Sequence, residues 1–400
     1  MFTMQRKLLV MDDRTAPSAF PSVLSTNHRN TIGTKVLILI PQRLSDERHE
    51  AARQGARPQA DYDAVAAALR EAPGDKGDIL DMSSVESERH WLIRLVRRLF
   101  GPYWALAALG HLRCAEYDVV FSHSEIVGLP FALFAVLRRR PRHVMTAYYL
   151  NGKRNAFWYR ALRIHRRVDT IFTQARQQHE IGRTALRLSS DKLVHVEGCG
   201  FIDSKFFATT PVVPVKEGQI CSAGREYRDY ETLIAAMESL PDVKLKVDPN
   251  SPWSLQVDGI AGLKLPPNVE VCRMEFGAVR LLYAESAAVV IPLHSNLIAA
   301  GTTTLVEAMS MGKPVIVTKS KDGTFGGRAG LVDGQNVILV EPHDVGGLRN
   351  AIARLMGDQE LRARIGVNAR RWAERHAARD QWLGTILQAL RGAQPARPSL

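Results

Sequence analysis

Apolar positions along the chain follow two alternating rhythms. Short, nearly continuous apolar runs have the character of strands buried on both faces, and KVLILI (35–40), which ends at Pro41, is the first of them. Between the runs lie longer stretches with apolar residues at helical spacing. In order they read KVLILI, GDILDM (77–82), a long helix from about Glu86, YDVVFSH (117–123), a helix to Leu137, HVMTAYY (143–149), a helix to Arg166, and VDTIFT (168–173). Strand and helix in alternation predict a parallel sheet covered by helices.

The stretch TTPVVPVKEG (209–218) cannot sustain a helix, because its prolines lack the amide donor, and it reads as a linker. A second alternating set follows: QICSAG (219–224), a helix from Asp229, VKLKV (243–247), NVEVC (268–272), a short helix, AAVVIPL (287–293), a helix from about Thr302, PVIVT (314–318) and NVILV (336–340). Helices fill most of 344–391. The expected organisation is a weakly ordered leader (1–33), an N-terminal domain (34–208), the linker (209–218), a C-terminal domain (219–375), a final helix (376–392) packing back on the N-terminal domain, and a Pro- and Ser-bearing tail (393–400). No internal repeat of 20 to 50 residues is present. Two doubly wound, Rossmann-like sheets joined in this way turn their strand C-terminal edges toward a shared central cleft, where ligands bind in such folds.

Composition narrows the partners. The 53 Lys and Arg against 41 Asp and Glu leave a net charge of +12, which favours anionic ligands such as phosphorylated metabolites or acidic lipid headgroups. The basic residues do not gather into a nucleic-acid module, so nucleic acid is not an expected partner. Cys114, Cys199, Cys221 and Cys272 lie far apart, with no CxxC pair and no histidine at zinc spacing, and are read as reduced thiols. The leader has no uninterrupted secretory apolar segment, and no stretch reaches the ~18 apolar residues of a membrane span, so a cytoplasmic protein is expected.

Two segments carry the chemistry. In IPLHSNLIAAGTTTLVEAMSMGKPVIVT (291–318) a buried strand gives way to a loop, and Gly301, Thr302, Thr303 and Thr304 then open a helix. The free amides and positive dipole end there form an anion site, with hydroxyls as further donors. Glu307 lies one turn deeper, so its carboxylate can accept hydrogen bonds from a sugar diol beside a bound phosphate. In AGREYRDYETLIAAM (223–237) a strand ends at Gly224, and Arg225 and Arg228 precede a helix. Two guanidiniums at that edge suit a diphosphate without a metal ion.

The order GR-x-x-R-D-Y-x-x-L-I-x-A-M, a VVIP strand, LVEAMSMGKPVIVT and DGQNVILVEPHD (333–344) resembles the donor-binding half of family 4 glycosyltransferases with the GT-B fold. GFIDSKFF (200–207) is similar to the family's segment at the end of the N-terminal domain, so the likeness covers about 168–372. The resemblance implies a nucleotide-sugar donor, a UDP- or GDP-sugar, bound by the C-terminal domain, and a glycan, lipid-linked or small-molecule acceptor bound by the N-terminal one. It implies transfer with retention, no metal and no other cofactor. Arg225 and Arg228 take the places of the two basic residues on the donor diphosphate, Glu307 that of the glutamate on the ribose, and Thr302 to Thr304 supply backbone donors.

The chain also departs from the family. The first glutamate of the paired motif is replaced by Ala299, for which His294, His123 or the backbone at Ala300 and Gly301 are the available substitutes. A non-catalytic GT-B partner of another transferase is the alternative that this change raises. The first strand is followed by PQRLSDERHEAARQG rather than a glycine-rich loop. His123, at the end of YDVVFSH, is the candidate catalytic histidine of the N-terminal domain, and a structural role is its competing reading.

GCGFID (198–203) lacks the last glycine of a dinucleotide motif, and HEIGR (179–183) lacks a second zincin histidine. Asp61 and Asp63, the DYD of metal-dependent transferases, fall at a helix start and are read as solvated. WLIRLVRRLF (91–100) has apolar residues at 92, 95, 96 and 99 and Arg94, Arg97 and Arg98 on the opposite arc; with FWYRALRIHRR (157–167) it suits the peripheral surface of an anionic membrane, and a core-facing helix with a solvated basic face is its competing reading.

Overall fold

The computed structural model describes residues 33–135, 141–150, 157–159, 161–196, 198–209, 213–250, 259–275, 277–296, 298, 300–319 and 330–392. The leader before Gly33, the tail, Ala299, and parts of the helices expected before Leu137 and Arg166 lie outside them.

The N-terminal half contains β1 (Lys35–Leu39), α1 (Asp46–Arg53), α2 (Asp61–Glu71), β2 (Lys76–Leu80), α3 (Met82–Ser87), α4 (Trp91–Phe100), α5 (Pro102–Arg113), β3 (Val119–Ser122), α6 (Glu125–Phe134), β4 (Arg142–Thr146), β5 (Thr170–Thr173), α7 (Arg176–Thr184), β6 (Leu193–His195) and α8 (Ser204–Ala208). Its six strands are parallel in the order β2-β1-β3-β4-β5-β6, with Ile38 registered between Ile79 and Phe121. The C-terminal half contains β7 (Lys216–Ala223), α9 (Tyr230–Met237), β8 (Lys244–Asp248), β9 (Val269–Val271), α10 (Val279–Glu285), β10 (Ser286–Ile291), α11 (Thr302–Ser310), β11 (Val315–Thr318), β12 (Ile338–Val340), α12 (Val345–Gly357), α13 (Gln359–His376) and α14 (Arg379–Leu390). These strands are also all parallel, in the order β12-β11-β10-β7-β8-β9. Counted from β7, that is the doubly wound dinucleotide-fold order.

The single helix expected from Glu86 is three. Asp81 and Ser84 form a reciprocal capping box that starts α3 early, and Gly101 (φ 90°) followed by Pro102 separates α4 from α5. A proline at the first helical position begins a helix well and continues one badly. Strand β7 begins at Lys216, inside the stretch read as linker, because Lys216 already registers with Ser286.

Each sheet is covered on both faces. In the C-terminal half α11 and α13 cover one face, with Leu305, Met309 and Trp372 in its core, and α9 and α12 the other, with Leu233, Ile234, Ile352 and Leu355. In the N-terminal half α4 and α5 supply one face. On the opposite face α14 returns from the end of the chain, and its Trp382, Ile386, Ala389 and Leu390 join Val36, Ile38, Tyr62 and Val65. The polypeptide therefore passes between the halves twice, and the passages touch: Cys199 N–H donates to His376 O (2.8 Å), Ser204 Oγ to Ala377 O (3.2 Å), and Arg379 Nε to Gly200 O (3.3 Å). A Cβ at Gly200 would lie 2.4 Å from Trp382 Cβ, so this contact requires glycine. Trp382→Ala is expected to cost about 3–5 kcal/mol of unfolding free energy. A urea melt unchanged by the substitution would show that α14 contributes nothing to the fold.

Candidate functional site

The strands of the C-terminal sheet deliver three groups to one edge. At the end of β7, Gly224 has φ +100°, and a Cβ there would lie 2.6 Å from an Arg228 guanidinium nitrogen, so the left-handed turn and the close approach both call for glycine. Arg228 is 6% exposed. Its Nε donates to Ala223 O (3.0 Å) and its terminal nitrogens to Glu226 O (3.0 Å) and Thr304 Oγ1 (2.9 Å). It thus ties the end of β7 to the first turn of α11. Arg225 is partly exposed, with one donor on Pro249 O (3.2 Å).

Helix α11 begins at Gly301, whose φ of +79° turns the chain in, and no side chain caps it. Among the described residues the amides of Thr302, Thr303 and Thr304 have no partner, which leaves them to a ligand or water. Thr302 is buried, and among the described residues its hydroxyl oxygen has no hydrogen-bond partner. One turn deeper Glu307 is 5% exposed and accepts from Tyr283 Oη (3.0 Å). Burial pushes its carboxyl up to about 8, against the opposing pull of the Tyr283 hydrogen bond and the Arg228 charge. Gly224, Arg228, Thr304 and Glu307 are therefore connected around the β7 and α11 junction, with Arg225 at its partly exposed side. Arg228 is the bracket of this junction, because three of its five N–H donors are engaged in holding Ala223, Glu226 and Thr304 together.

In the N-terminal half His123 follows β3 and pairs through Nε2 with Asp61 (2.8 Å), the first residue of α2. Both side chains are largely buried. The solvated reading of the DYD segment is corrected accordingly: Asp61 is held by His123 and Asp63 by His49 (3.1 Å). Burial opposes the charge on each member of the first pair, but their mutual attraction prevails, so His123 sits above and Asp61 below its ordinary value. Sequence spacing could not show a contact across 62 positions. Two further links were missed for the same reason. Buried Glu125 accepts the amides of Tyr148 and Tyr149 (3.0 Å each), and Tyr149 Oη then donates across the cleft to Glu226 Oε1 (2.7 Å).

His294, offered as a substitute for the missing glutamate, lies beside Asp229 and His343. Its Nδ1 lies 3.8 Å from Asp229 Oδ2, and His343 Nδ1 lies 2.9 Å from the same oxygen. Among the described residues these three form the group whose potential ligand atoms lie within 4.8 Å of one another. The Asp229 carboxylate is already engaged, because it caps α9 through Thr232 N–H (3.1 Å) and accepts the Thr232 hydroxyl (2.8 Å).

Two all-parallel six-stranded sheets with this edge between them define the GT-B fold. It is shared with a glycosyltransferase from Rickettsia africae (TM-score 0.63, 15% identity, 90% of this chain and 98% of that one), and with a sucrose-phosphate synthase from Thermosynechococcus elongatus (0.63, 16%, 90% and 98%). Anabaena HepE in complex with UDP and glucose has the same architecture (0.62, 16%, 90% and 100%). Residues 214–372, which contain Arg225, Arg228 and Glu307, carry a Glycosyl transferases group 1 domain. No curated protein sequence matches the chain.

Proposed function

We propose that this protein is a glycosyltransferase that moves a sugar from a UDP- or GDP-sugar to a glycan or lipid-linked acceptor, without a metal ion and with retention of configuration. The observation that carries the reading is the uncapped start of α11, with its unpartnered Thr302 hydroxyl, beside Arg225 at the strand edge. An oriented set of amides and a guanidinium there would stabilise the charge that grows on the departing diphosphate, which is electrostatic catalysis by groups already in place. Arg228 is a positioning residue that holds Thr304 and the Glu226 backbone. Glu307 would accept from the ribose diol. His123, whose protonated form the Asp61 carboxylate favours, suits donation to a substrate oxygen rather than service as a base. HepE, captured with UDP and with UDP-glucose, supports trying UDP first.

UDP or GDP at about 100 times its dissociation constant is expected to add about 2.7 kcal/mol of stability. The resulting rise in melting temperature should persist in chelator. Absence of any shift with UDP, GDP, ADP or TDP at millimolar concentration overturns the donor site, and a shift abolished by chelator overturns metal independence and directs attention to Asp229, His294 and His343. Protein that binds a nucleotide yet neither transfers nor slowly hydrolyses any nucleotide sugar is a non-catalytic partner.

A further inference from the structure

Helix α4 turns its apolar residues the wrong way for a helix that only covers a sheet. Ile93 and Val96 are the residues it buries, in the core shared with α5. Trp91, Leu95 and Leu99 recur every fourth position, so they form one stripe, and that stripe faces outward: Trp91 is 69% and Leu99 63% exposed. The apolar arc of 92, 95, 96 and 99 is thus split, with Leu92 and Val96 turned toward the core and Leu95 and Leu99 out.

The stripe continues onto neighbouring elements. Phe100, 60% exposed, packs on Trp104 with ring centroids 5.4 Å apart; Trp104 meets Trp158 at 5.8 Å, and Trp158 meets exposed Phe157 at 6.5 Å. A ledge of large apolar side chains therefore runs from α4 to the segment before β5. A surface of this kind on a water-soluble protein marks a docking site.

Charge decides what docks. Arg94 and Arg98 form a second stripe beside the first. Arg97 lies next to them, and with Arg89 these residues line a groove of about 720 Å³. The groove's acidic residues are already taken, Glu86 by Arg43 and Glu88 by Arg113 (2.7 Å). Among the described residues the guanidiniums of the four groove arginines have no carboxylate partner. A row of arginines flanking an apolar ledge complements phosphate headgroups above acyl chains and not a second copy of this basic chain. No helix among the described residues is long and apolar enough to cross a membrane, so contact here would be from one side.

We propose that the α4 face docks this protein on an anionic lipid surface, with Trp91, Leu95, Leu99 and Phe100 entering the interface and Arg89, Arg94, Arg97 and Arg98 holding lipid phosphates. The proposal stands apart from the donor site, and either can fail without the other. The test is co-sedimentation of the full chain with vesicles of phosphatidylglycerol and phosphatidylcholine, compared with phosphatidylcholine alone. Binding is expected only with the anionic lipid. The Arg94→Gln, Arg97→Gln, Arg98→Gln variant should bind about 100-fold more weakly, from roughly fivefold per charge. The Leu95→Ser, Leu99→Ser variant, altered only at exposed positions, should lose the salt-resistant part of binding. Both should keep the wild-type melting temperature and its shift with UDP. Equal binding by wild type and both variants, wild type left in the supernatant, or a dimer in sedimentation velocity that Leu95→Ser, Leu99→Ser dissolves, overturns the proposal; the last result assigns the ledge to self-association.

Discussion

Arg228→Met is expected to destabilise the chain by about 3 kcal/mol or more and to abolish the stabilisation given by UDP. The guanidinium satisfies Ala223 O, Glu226 O and Thr304 Oγ1 from a site with almost no water access. Methionine fills much of the volume but donates to none of them. Hydrogen bonds from a charged donor contribute about 1.5–3 kcal/mol each, and a buried acceptor left alone costs a similar amount. Arg228→Lys should fall between, because an ammonium is a point donor and cannot span three acceptors in the plane of a guanidinium. Arg225→Met is the control. Its side chain is partly exposed with one backbone contact, so it should leave the urea midpoint nearly unchanged while weakening UDP binding. If Arg228→Met and Arg225→Met behave alike in both measurements, the division between bracket and ligand contact is wrong.

Glu307 is expected to make stability fall as pH rises. Its carboxyl titrates near 8 in the folded chain against an ordinary 4.5. Between these values the folded state keeps a proton that the unfolded state has released, so the unfolding free energy declines across that window and levels above it. Glu307→Gln does not titrate. Relative to wild type the variant should therefore gain about 1.4 kcal/mol per pH unit through the window, read from urea melts at mildly acidic, neutral and mildly alkaline pH. The same proton bears on the donor. A ribose diol donating to the carboxylate favours its ionised form, so UDP binding near neutral pH should expel about one proton in wild type and none in the variant. Calorimetry in buffers of different ionisation enthalpy measures that number. Full UDP affinity and unchanged proton release in Glu307→Gln would place the ribose elsewhere.

The architecture was legible because burial on both faces forces continuous apolar runs, which made β1, β3, β4, β7, β10 and β11 visible as strands. β6, Leu193 to His195 at a sheet edge, was not read as a strand. The division of the 86–113 region depended on a capping box and one Gly-Pro step, local chemistry that apolar spacing ignores. At the site, residue types and their order along β7 and α11 were readable. The roles within the pair Arg225 and Arg228 were not, because nothing in the spacing says which guanidinium turns inward. Asp61 illustrates the same limit: its neighbours in sequence are those of a solvated helix start, and only the end of β3 supplies the His123 that holds it.

The double passage of the chain near Gly200 and Ala377 limits how the cleft can open. Two bodies joined by one tether can swivel about any axis. Two passages held side by side restrict relative motion of the halves more than one tether would, and the Tyr149 hydroxyl on Glu226 adds a further contact between them. A cut in either passage would restore the lost degrees of freedom while leaving both sheets intact. Alignment of Arg225 with whatever the N-terminal half presents thus depends on residues that touch neither.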